Sequence, residues 1–366
     1  MSMQFEHITL GQRVLFGAGK AAEHLAAEVQ RLGAQRVMVI ASEHETEQAQ
    51  RAVARIEVAL WHTEVVMHVP AEVAARARAA ATENRIDLLV SVGGGSTTGL
   101  AKAVALTTGI PIVAVPTTYA GSEATDVWGL TEDARKTTGV DRRVLPTTVI
   151  YDAQLTLSLP RQLSVASGLN GLAHCVDSLW GPRADPINAA LATEGIRALA
   201  QGLPTVAADP ADTDGRDQAL YGAYLAAVSF ASAGSGMHHK ICHVLGGTFD
   251  LPHAQTHATV LPYVLAYNAS HAPEAASRMA AAFDADSALG GLQTLRRKLD
   301  APSRLADYGF TAQDIPQAVE IALPAIPGSN PRPVTEQDLT ALLQAALTGE
   351  DPAVLTDTAP EGARHE

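Results

Sequence analysis

The sequence predicts an α/β amino-terminal part, built on a parallel sheet with flanking helices, followed by an all-α carboxyl-terminal part. Two observations support this prediction. Over the first 150 residues, short β-branched runs alternate with longer alanine-rich stretches, which is typical of a parallel sheet covered by helices. Farther along, β-branched runs become rare and helix-length patterns take over. We therefore predict one domain over residues 1–156 and a helical domain over residues 157–366.

The elements of the first domain are predicted from runs of Val, Ile and Leu and from helical spacing of apolar residues. The predicted strands cover residues 36–40, 64–67, 87–92 and 111–115. The predicted helices cover residues 19–32, 71–84 and 96–108. A hairpin is expected between residues 127 and 151, and a proline turn at Pro160 opens the helical region.

Composition excludes several classes of protein. The chain has 366 residues, of which 47% are apolar and 18% charged, and its net charge is −13. Nucleic acids and anionic membranes bind through basic patches, so neither is expected as a partner. No long apolar run and no signal-peptide pattern occur, which predicts a cytoplasmic protein without membrane contact. Cys175 and Cys242 are too few for a disulfide framework and are expected to be small buried hydrophobes.

A glycine-rich loop follows the third predicted strand. Gly93, Gly94 and Gly95 precede Ser96 and a helical segment. Glycines let the backbone approach a phosphate closely, and the helix that follows offers unpaired N–H donors and a favourable dipole. A turn capped by Ser96 would also serve any strand-to-helix connection. We favour a pyrophosphate cradle because three consecutive glycines exceed what a cap requires.

A second loop of small and hydroxyl-bearing residues follows the fourth predicted strand. It contains Thr117, Thr118, Tyr119 and Ser122. Open α/β sheets bind ligands at the carboxyl ends of their strands, which is where this loop begins. The two loops together predict a nucleotide-binding edge, although each hydroxyl taken singly would also suit a polar turn.

Histidines in the predicted helical domain indicate a shared pocket. His239 and His243 are four residues apart, so both project from one face of a helix, and His253 follows after a turn-rich stretch. Asn170 and His174 form another pair at helical spacing. A lone histidine is usually a surface or satisfied core residue, but imidazoles gathered in this way bind metal, move protons or polarise a carbonyl oxygen.

The order and spacing of these motifs resemble the iron-containing alcohol dehydrogenase superfamily over nearly the whole chain. The segments that carry the resemblance are Gly-Gly-Gly-Ser at 93–96, Pro-Thr-Thr at 116–118, Gly-Ser-Glu at 121–123 and the run of His239, His243 and His253. The resemblance implies a Rossmann-like dinucleotide-binding first domain and a helical second domain that holds a divalent metal. In that superfamily the metal ligands are an aspartate and three histidines, which correspond here to Asn170, His174, His239 and His253. A further histidine of the substrate site corresponds to His243.

Several departures from that pattern resemble the maleylacetate reductase branch of the superfamily. Asn170 replaces the ligand aspartate by a neutral amide, which is a weaker ligand for a divalent cation. Gly99 stands where the wider family usually has Asp, and the loop after Pro116 is one residue shorter. Residues 128–131, 136–139 and 144–146 also resemble this branch, and Lys136 is therefore included among the expected cofactor-binding residues. Because the branch is associated with a metal-free active site, we expect no metal.

The resemblance implies reduction of the carbon–carbon double bond of maleylacetate to 3-oxoadipate, with hydride from NADH or NADPH. The substrate would be a small dicarboxylate, and a homodimer is expected. Negative charge would accumulate on the carbonyl oxygen as an enolate, and hydrogen-bond donors there would stabilise it. We expect His243 and His253 to be the first of these donors. His239, His174 and Asn170 would shape the same pocket.

The sequence does not decide which residues bind the substrate carboxylates or whether the cofactor is NADH or NADPH. Lys240, Arg142 and Arg143 are candidates for binding the substrate carboxylates, but a solvated surface role suits each of them equally well. After the strand ending at Ile40, Ser42 stands where many relatives carry an acidic residue that pairs with the NAD ribose. Ser42 neither forms that pair nor repels a 2′-phosphate, so the sequence does not decide between NADH and NADPH.

Three other functions compete with this interpretation. A metal-dependent alcohol dehydrogenase would interconvert alcohol and carbonyl and retain metal through three histidines. A lyase related to the sugar-phosphate cyclases would show no net oxidation of the cofactor. A non-catalytic nucleotide-binding module would show no substrate-dependent oxidation at all.

Overall fold

The amino-terminal part is built on a six-stranded parallel sheet. The computed structural model describes residues 4–132 and 135–356, with the backbone alone at residues 135 and 136. The strands of the described residues are β1 (Arg13–Phe16), β2 (Val37–Ile40), β3 (Leu60–His62), β4 (Leu88–Gly93), β5 (Ile112–Pro116), β6 (Val127–Glu132), β7 (Arg135–Val140) and β8 (Thr148–Tyr151). The sheet has the order β1-β8-β5-β4-β2-β3, and all of its pairings are parallel. Strands β6 and β7 form a separate antiparallel hairpin.

The helices fall into two groups, as the sequence predicts. Those of the amino-terminal part are α1 (Ala21–Leu32), α2 (Thr46–Ala52), α3 (Ala71–Glu83) and α4 (Gly95–Thr108). Those of the carboxyl-terminal part are α5 (Arg161–Trp180), α6 (Pro186–Ala208), α7 (Thr213–Ala233), α8 (Met237–Phe249), α9 (His253–Ala269), α10 (Pro273–Ala282), α11 (Ala288–Leu299), α12 (Ile315–Ala322) and α13 (Glu336–Thr348). The predicted fold class is confirmed.

The carboxyl ends of β2, β4 and β5 form one edge of the sheet. Strand β4 is buried along its whole length, which explains its continuous apolar run. Ile40 of β2 pairs with Ser91, and Gly93 at the end of β4 pairs with Pro116 at the end of β5. Because these neighbouring strands are parallel, the segments that follow them converge at the same edge.

The strand predicted over residues 64–67 and the hairpin predicted between residues 127 and 151 differ from the structure. Residues 64–67 are not a strand, because the pairing with β2 is made earlier, where Leu60 lies opposite Met38. The chain then turns at His68 and Val69, whose φ angles are 64° and 50°. The hairpin ends at Val140, since residues 148–151 are buried in the main sheet as β8, between β1 and β5.

The two parts of the chain share a hydrophobic core. Val149 and Tyr151 of β8 and Tyr119 of the loop after β5 pack in one cluster with Leu169 and Leu172 of α5. The change from mixed to purely helical structure falls between the 3-10 turn Ala153–Thr156 and α5. The domain boundary at residues 156 and 157 stays a prediction.

Both cysteines behave as small buried hydrophobes, as the sequence predicts. Cys175 and Cys242 are free thiols and are buried. Burial raises the pKa of both thiols above its ordinary value, so neither is a reactive thiolate at neutral pH. Among the residues that the structure describes, no helix combines the length and the apolar character needed to cross a membrane.

Candidate active site

Helix α5 presents three polar side chains to the interior of the helical part. Asn170, His174 and Asp177 are spaced by four and three residues, which places them on one face of the helix. All three are buried, with Asp177 at 0% exposure. Burial of polar groups is unfavourable unless they are hydrogen-bonded or bind a ligand. This face of α5 is therefore a candidate site.

The Asp177 carboxylate fixes the start of α8 and orients His239. Its Oδ2 accepts hydrogen bonds from the backbone N–H groups of Gly236 at 3.1 Å and His239 at 3.2 Å. The same oxygen lies 2.7 Å from His239 Nδ1. Burial raises the pKa of Asp177 to about 7, against the lowering effect of the backbone N–H donors. It lowers the pKa of His239 well below its usual value, so the ring is neutral and Nδ1–H donates to Asp177.

This pairing leaves His239 Nε2 as a lone-pair nitrogen. Nε2 is buried and has no hydrogen-bond partner among the described residues. A carboxylate that fixes one imidazole nitrogen and directs the other is a typical support for metal-binding and catalytic histidines. His239 is thus prepared to bind an ion or a substrate group.

Aromatic packing holds the two buried histidines in place. The rings of His174 and His239 stack with centroids 4.8 Å apart and planes 14° from parallel. Phe230 of α7 contacts both, at 4.7 Å from His174 and 4.2 Å from His239. Burial lowers the pKa of His174 to about 3, and the charge of His253 adds to this effect. Both stacked rings are therefore neutral over the physiological range.

A second pair of histidines lies beside His239. His238 Nε2 is 2.9 Å from His257 Nδ1, and both rings are fully buried. The ring of His257 lies 4.8 Å from that of His239, and ligand nitrogens of all three come within 4.8 Å of one another. The cluster thus offers several neutral nitrogen donors in a small volume.

His243 and His253 form the exposed side of the same cluster. Both side chains are exposed, unlike those of His174 and His239. The His243 ring lies 6.0 Å from that of His239, and the His253 ring lies 4.4 Å from that of His257. The structure therefore brings the four predicted histidines into one cluster, with Asn170 one helical turn before His174.

The sheet edge meets this histidine cluster at Gly121. The residue has φ 78°, and a Cβ there would lie 2.7 Å from the Cβ of Ala227 and 3.6 Å from His174 Nδ1. Only glycine suits both the positive φ and the close approach. The loop after β5 is therefore packed directly against the histidine cluster.

The two predicted nucleotide-binding loops also contact one another. A Cβ on Gly94 would lie 3.0 Å from Thr118 Cγ2, and a Cβ on Gly95 would lie 3.6 Å from that of Ala120. Gly94, Gly95 and Ser96 are partly exposed at the start of α4, whereas Gly93 and Thr117 are buried behind them. The exposed positions could accept a phosphate group at the helix N-terminus.

Two further predicted cofactor-binding residues, Tyr119 and Ser122, make hydrogen bonds within the protein. The Tyr119 ring is fully buried and its hydroxyl accepts a hydrogen bond from Arg216 at 3.3 Å. Ser122 contributes its carbonyl oxygen to a buried lysine, Lys102. The Lys136 side chain lies outside the described residues.

Lys102 ties helix α4 to the loop after β5. Its ammonium group donates to the carbonyl oxygens of Ser122 at 2.6 Å, Thr125 at 2.8 Å and Val127 at 2.8 Å. Burial lowers the pKa of Lys102 to about 7, and nearby Glu123 opposes that shift. Lys102 thus fixes the position of the loop that carries Gly121.

Sequence reasoning missed several of these residues. Asp177 lies seven residues after Asn170 and three after His174, a helical spacing that could have identified it. His257 lies four residues after His253, which is the same kind of evidence. Lys102 and Phe230 had no such pattern, because their roles depend on tertiary packing.

The three basic candidates for binding substrate differ in their surroundings. Arg143 forms a 2.6 Å ion pair with Asp141 at the surface. Arg142 is exposed, and Lys240 is half-buried next to His239 in sequence. Arg143 is therefore engaged within the protein, and its guanidinium would have to leave Asp141 to bind a carboxylate.

The fold and the site together define a class of nucleotide-dependent enzymes. In this class the carboxyl edge of a parallel sheet, where a nucleotide can bind, lies next to a pocket of histidines. Two family descriptions match the chain. "Iron-containing alcohol dehydrogenase" matches residues 11–153, and "Fe-containing alcohol dehydrogenase family, C-terminal" matches residues 164–347. The chain belongs to the iron-containing alcohol dehydrogenase family and is an oxidoreductase.

Individual relatives agree with this assignment. The maleylacetate reductase of Sphingobium indicum is 45% identical over 353 residues, which are 96% of this chain and 99% of that protein. The crystal structure of an iron-containing alcohol dehydrogenase from Corynebacterium glutamicum is 69% identical, with a TM-score of 0.96, and covers 97% of this chain and 100% of that one. The structure of the maleylacetate reductase from Agrobacterium tumefaciens is 41% identical, with a TM-score of 0.91, and covers 96% of this chain and 100% of that one.

The expectation that no metal takes part is wrong. Both matching family descriptions are of iron-containing enzymes, which points to a bound metal in addition to the nicotinamide cofactor. The residues present fit such an ion. Asn170 Oδ1, His174 Nδ1 and His239 Nε2 are buried and have no hydrogen-bond partner within the described part of the chain. Imidazole nitrogens with an oxygen donor suit iron and zinc.

Proposed function

We propose that this chain reduces the carbon–carbon double bond of maleylacetate to give 3-oxoadipate, with NADH or NADPH as the hydride donor. The observation that carries the proposal is the contact between Gly121 and His174, because it sets a nucleotide-binding sheet edge beside a cluster of neutral histidines. Relatives that are named maleylacetate reductase and are 42% to 48% identical support the choice of substrate.

The cofactor would bind along the carboxyl edge of the sheet. We assign its pyrophosphate to the glycine loop, in which Gly93 and Gly94 would let the backbone approach closely and Gly95 and Ser96, at the N-terminus of α4, would donate N–H groups. The loop after β5 would contact the nicotinamide half through Thr118 and Ser122 and, from the hairpin, Lys136, while the buried Thr117 and Tyr119 would support the loop from behind. This arrangement directs the nicotinamide toward Gly121 and so toward the histidines.

The histidines would act on the carbonyl group of the substrate. Hydride addition to an alkene carbon conjugated with the ketone sends negative charge to the carbonyl oxygen as an enolate. His243 and His253 are exposed at the mouth of the cluster, where a substrate can reach them. A hydrogen bond that strengthens as charge develops stabilises the transition state more than the ground state.

His174, His239 and Asn170 would hold the divalent metal that the family implies. A divalent ion held there supplies Lewis-acid polarisation of the substrate carbonyl oxygen. Asp177 keeps His239 Nε2 free for that purpose by binding Nδ1–H. The neutral Asn170 provides a weaker oxygen ligand than an aspartate would.

Three further properties belong to the same proposal. The substrate is a small dicarboxylate, the enzyme acts in the cytoplasm, and it functions as a homodimer. The relatives named maleylacetate reductase support the substrate class, and the net charge of −13 agrees with a protein that binds neither nucleic acid nor anionic membrane. We also propose that residues 1–156 and 157–366 form the two domains.

Carbonyl reduction is the second candidate, because the Corynebacterium structure with 69% identity carries the name of an alcohol dehydrogenase. An assay of NADH and NADPH oxidation with maleylacetate and with simple aldehydes and ketones separates the two. We expect kcat/KM for maleylacetate to exceed that for every simple carbonyl compound by at least about 100-fold. Faster turnover of an aldehyde would favour the second candidate.

A further inference from the structure

A carboxylate lies inside the glycine loop. Glu45 Oε1 accepts a hydrogen bond from the backbone N–H of Gly94 at 3.0 Å and from the Thr117 hydroxyl at 3.2 Å. Glu45 Oε2 accepts from the hydroxyls of Ser42 at 2.8 Å and Thr97 at 3.0 Å. The segments that follow the neighbouring strands β2, β4 and β5 therefore all donate hydrogen bonds to the Glu45 side chain.

The local fold explains how Glu45 reaches this position. Strand β2 pairs with β4 up to Ile40 and Ser91, so the segment after β2 emerges beside the glycine loop. That segment forms a single 3-10 turn over Glu43–Glu45, with a capping box between Ser42 and Glu45. The capping box turns the Glu45 side chain back toward the sheet edge.

The charge of Glu45 is not neutralised by the groups that hold it. Each of its five donors, which include the backbone N–H of Ser42 at 3.3 Å, is a backbone N–H or a hydroxyl group, and all are uncharged. The side chain is half-buried, so solvent screens it only in part. Glu45 thus brings a fixed negative charge to the nucleotide-binding edge.

The backbone N–H groups of the glycine loop that Glu45 does not occupy indicate where the cofactor would bind relative to this carboxylate. Gly94 N–H is taken by Glu45, whereas Gly95 and Ser96 follow it in the first turn of α4 and are partly exposed. A pyrophosphate bound there would extend its adenosine half over β2, the strand next to β4. In dinucleotide-binding folds the adenosine ribose lies at the end of that neighbouring strand, where an acidic residue accepts hydrogen bonds from its hydroxyls.

We propose that Glu45 selects NADH over NADPH, an inference that rests on the proposed nucleotide-dependent function. Its two oxygens already accept five hydrogen bonds from the protein, so Glu45 would discriminate through its charge, and the uncharged ribose 2′-hydroxyl of NADH is not repelled by it. The 2′-phosphate of NADPH would instead bring a second negative group to the sheet edge that carries this carboxylate, where like charges repel. Ser42, which follows β2 where many relatives carry the acidic residue, donates its hydroxyl to Glu45 Oε2.

The test is direct binding of nucleotides to the full-length protein without substrate. Dissociation constants for NADH, NADPH, ADP-ribose and 2′-phospho-ADP-ribose would be measured for the wild type and for Glu45→Gln. Glu47→Gln is the matched control, because Glu47 is exposed two residues away and pairs with Arg51. We expect the wild type to bind NADH at least about tenfold more tightly than NADPH, and Glu45→Gln to remove most of that preference. Glu47→Gln should keep it.

A second measurement covers the case in which Glu45→Gln does not fold. In the wild type, the ratio of NADPH to NADH dissociation constants should fall as ionic strength rises, because salt screens the repulsion. A wild type that prefers NADPH, or a Glu45→Gln variant that changes both affinities equally, would overturn the assignment. Failure of the wild type to bind any of the four nucleotides would overturn the proposed function itself.

Discussion

His239 Nδ1 lies 2.7 Å from Asp177 Oδ2, across 62 residues of chain, and the same carboxylate oxygen caps the start of α8. One side chain therefore sets both the position of the helix and the orientation of its third residue, His239. If this pair prepares His239 Nε2, then Asp177→Asn should lower kcat by about 10- to 100-fold, with the protein still folded. Steady-state kinetics and circular dichroism would check this.

Asp214→Asn is a suitable control for the Asp177 variant. Asp214 is exposed in the first turn of α7, and its replacement should leave kcat unchanged. Equal kcat values for wild type and Asp177→Asn would show that orientation of His239 does not limit the reaction.

His243 is expected to act mainly in the transition state. Its ring is exposed and lies 6.0 Å from that of His239, so it can reach a bound substrate. His243→Ala should lower kcat on the order of 100-fold, while the dissociation constant for the nicotinamide cofactor stays within about twofold. His271→Ala, on an exposed residue after α9, should change neither value. An increase in KM for substrate alone would make His243 a binding residue instead.

Acid should destabilise the chelator-treated protein through its buried imidazoles. Burial lowers the pKa of His174 and His238 to about 3, and it lowers the pKa of His239 and His257 well below the usual value. The unfolded chain binds protons at these residues below about pH 6.5, whereas the folded chain does not. The free energy of unfolding should therefore fall as the pH drops from about 6.5 toward 3.

Asp177 has the opposite effect on the pH dependence of stability over part of this pH range. Its folded pKa of about 7 exceeds the ordinary value of 3.8, so its contribution to stability is present at low pH and is lost as the pH rises through 7. It is one group against four imidazoles, and the net slope should follow the imidazoles. Urea unfolding at several pH values would measure it, and His174→Gln should reduce the slope. A flat profile between pH 6.5 and pH 4 would contradict the account.

Asn170 is expected to limit metal affinity. An aspartate at this buried position would add a charged oxygen ligand beside His174 and His239. Asn170→Asp should therefore bind Zn²⁺ or Fe²⁺ at least about tenfold more tightly than the wild type, as titration of the metal-stripped protein would show. Asn170→Ala should bind no more tightly than the wild type. Unchanged affinity in Asn170→Asp would show that this side chain does not face the ion.

Much of the fold could be predicted because it depends on local patterns. Buried strands such as β4 appear in the sequence as continuous apolar runs, and the helical spacing of apolar residues in α3 predicts that helix. The register of β3 could not be predicted, since Leu60 and Val65 lie in equally apolar segments and only pairing with Met38 selects the first. The histidines could be grouped by spacing, but the Asp177–His239 pair joins distant segments. The packing that buries Tyr119 against Arg216 is likewise a property of the assembled fold.

In the proposed reaction, hydride reaches an alkene carbon and leaves the ketone intact. The most direct measurement uses nicotinamide carrying deuterium at the transferred position, with maleylacetate as the substrate, and locates the label in the product by NMR. We expect a single deuterium on the former alkene carbon farther from the ketone, in 3-oxoadipate whose carbonyl group remains. Deuterium on a carbinol carbon, with the double bond retained, would contradict this expectation and identify the enzyme as a carbonyl reductase.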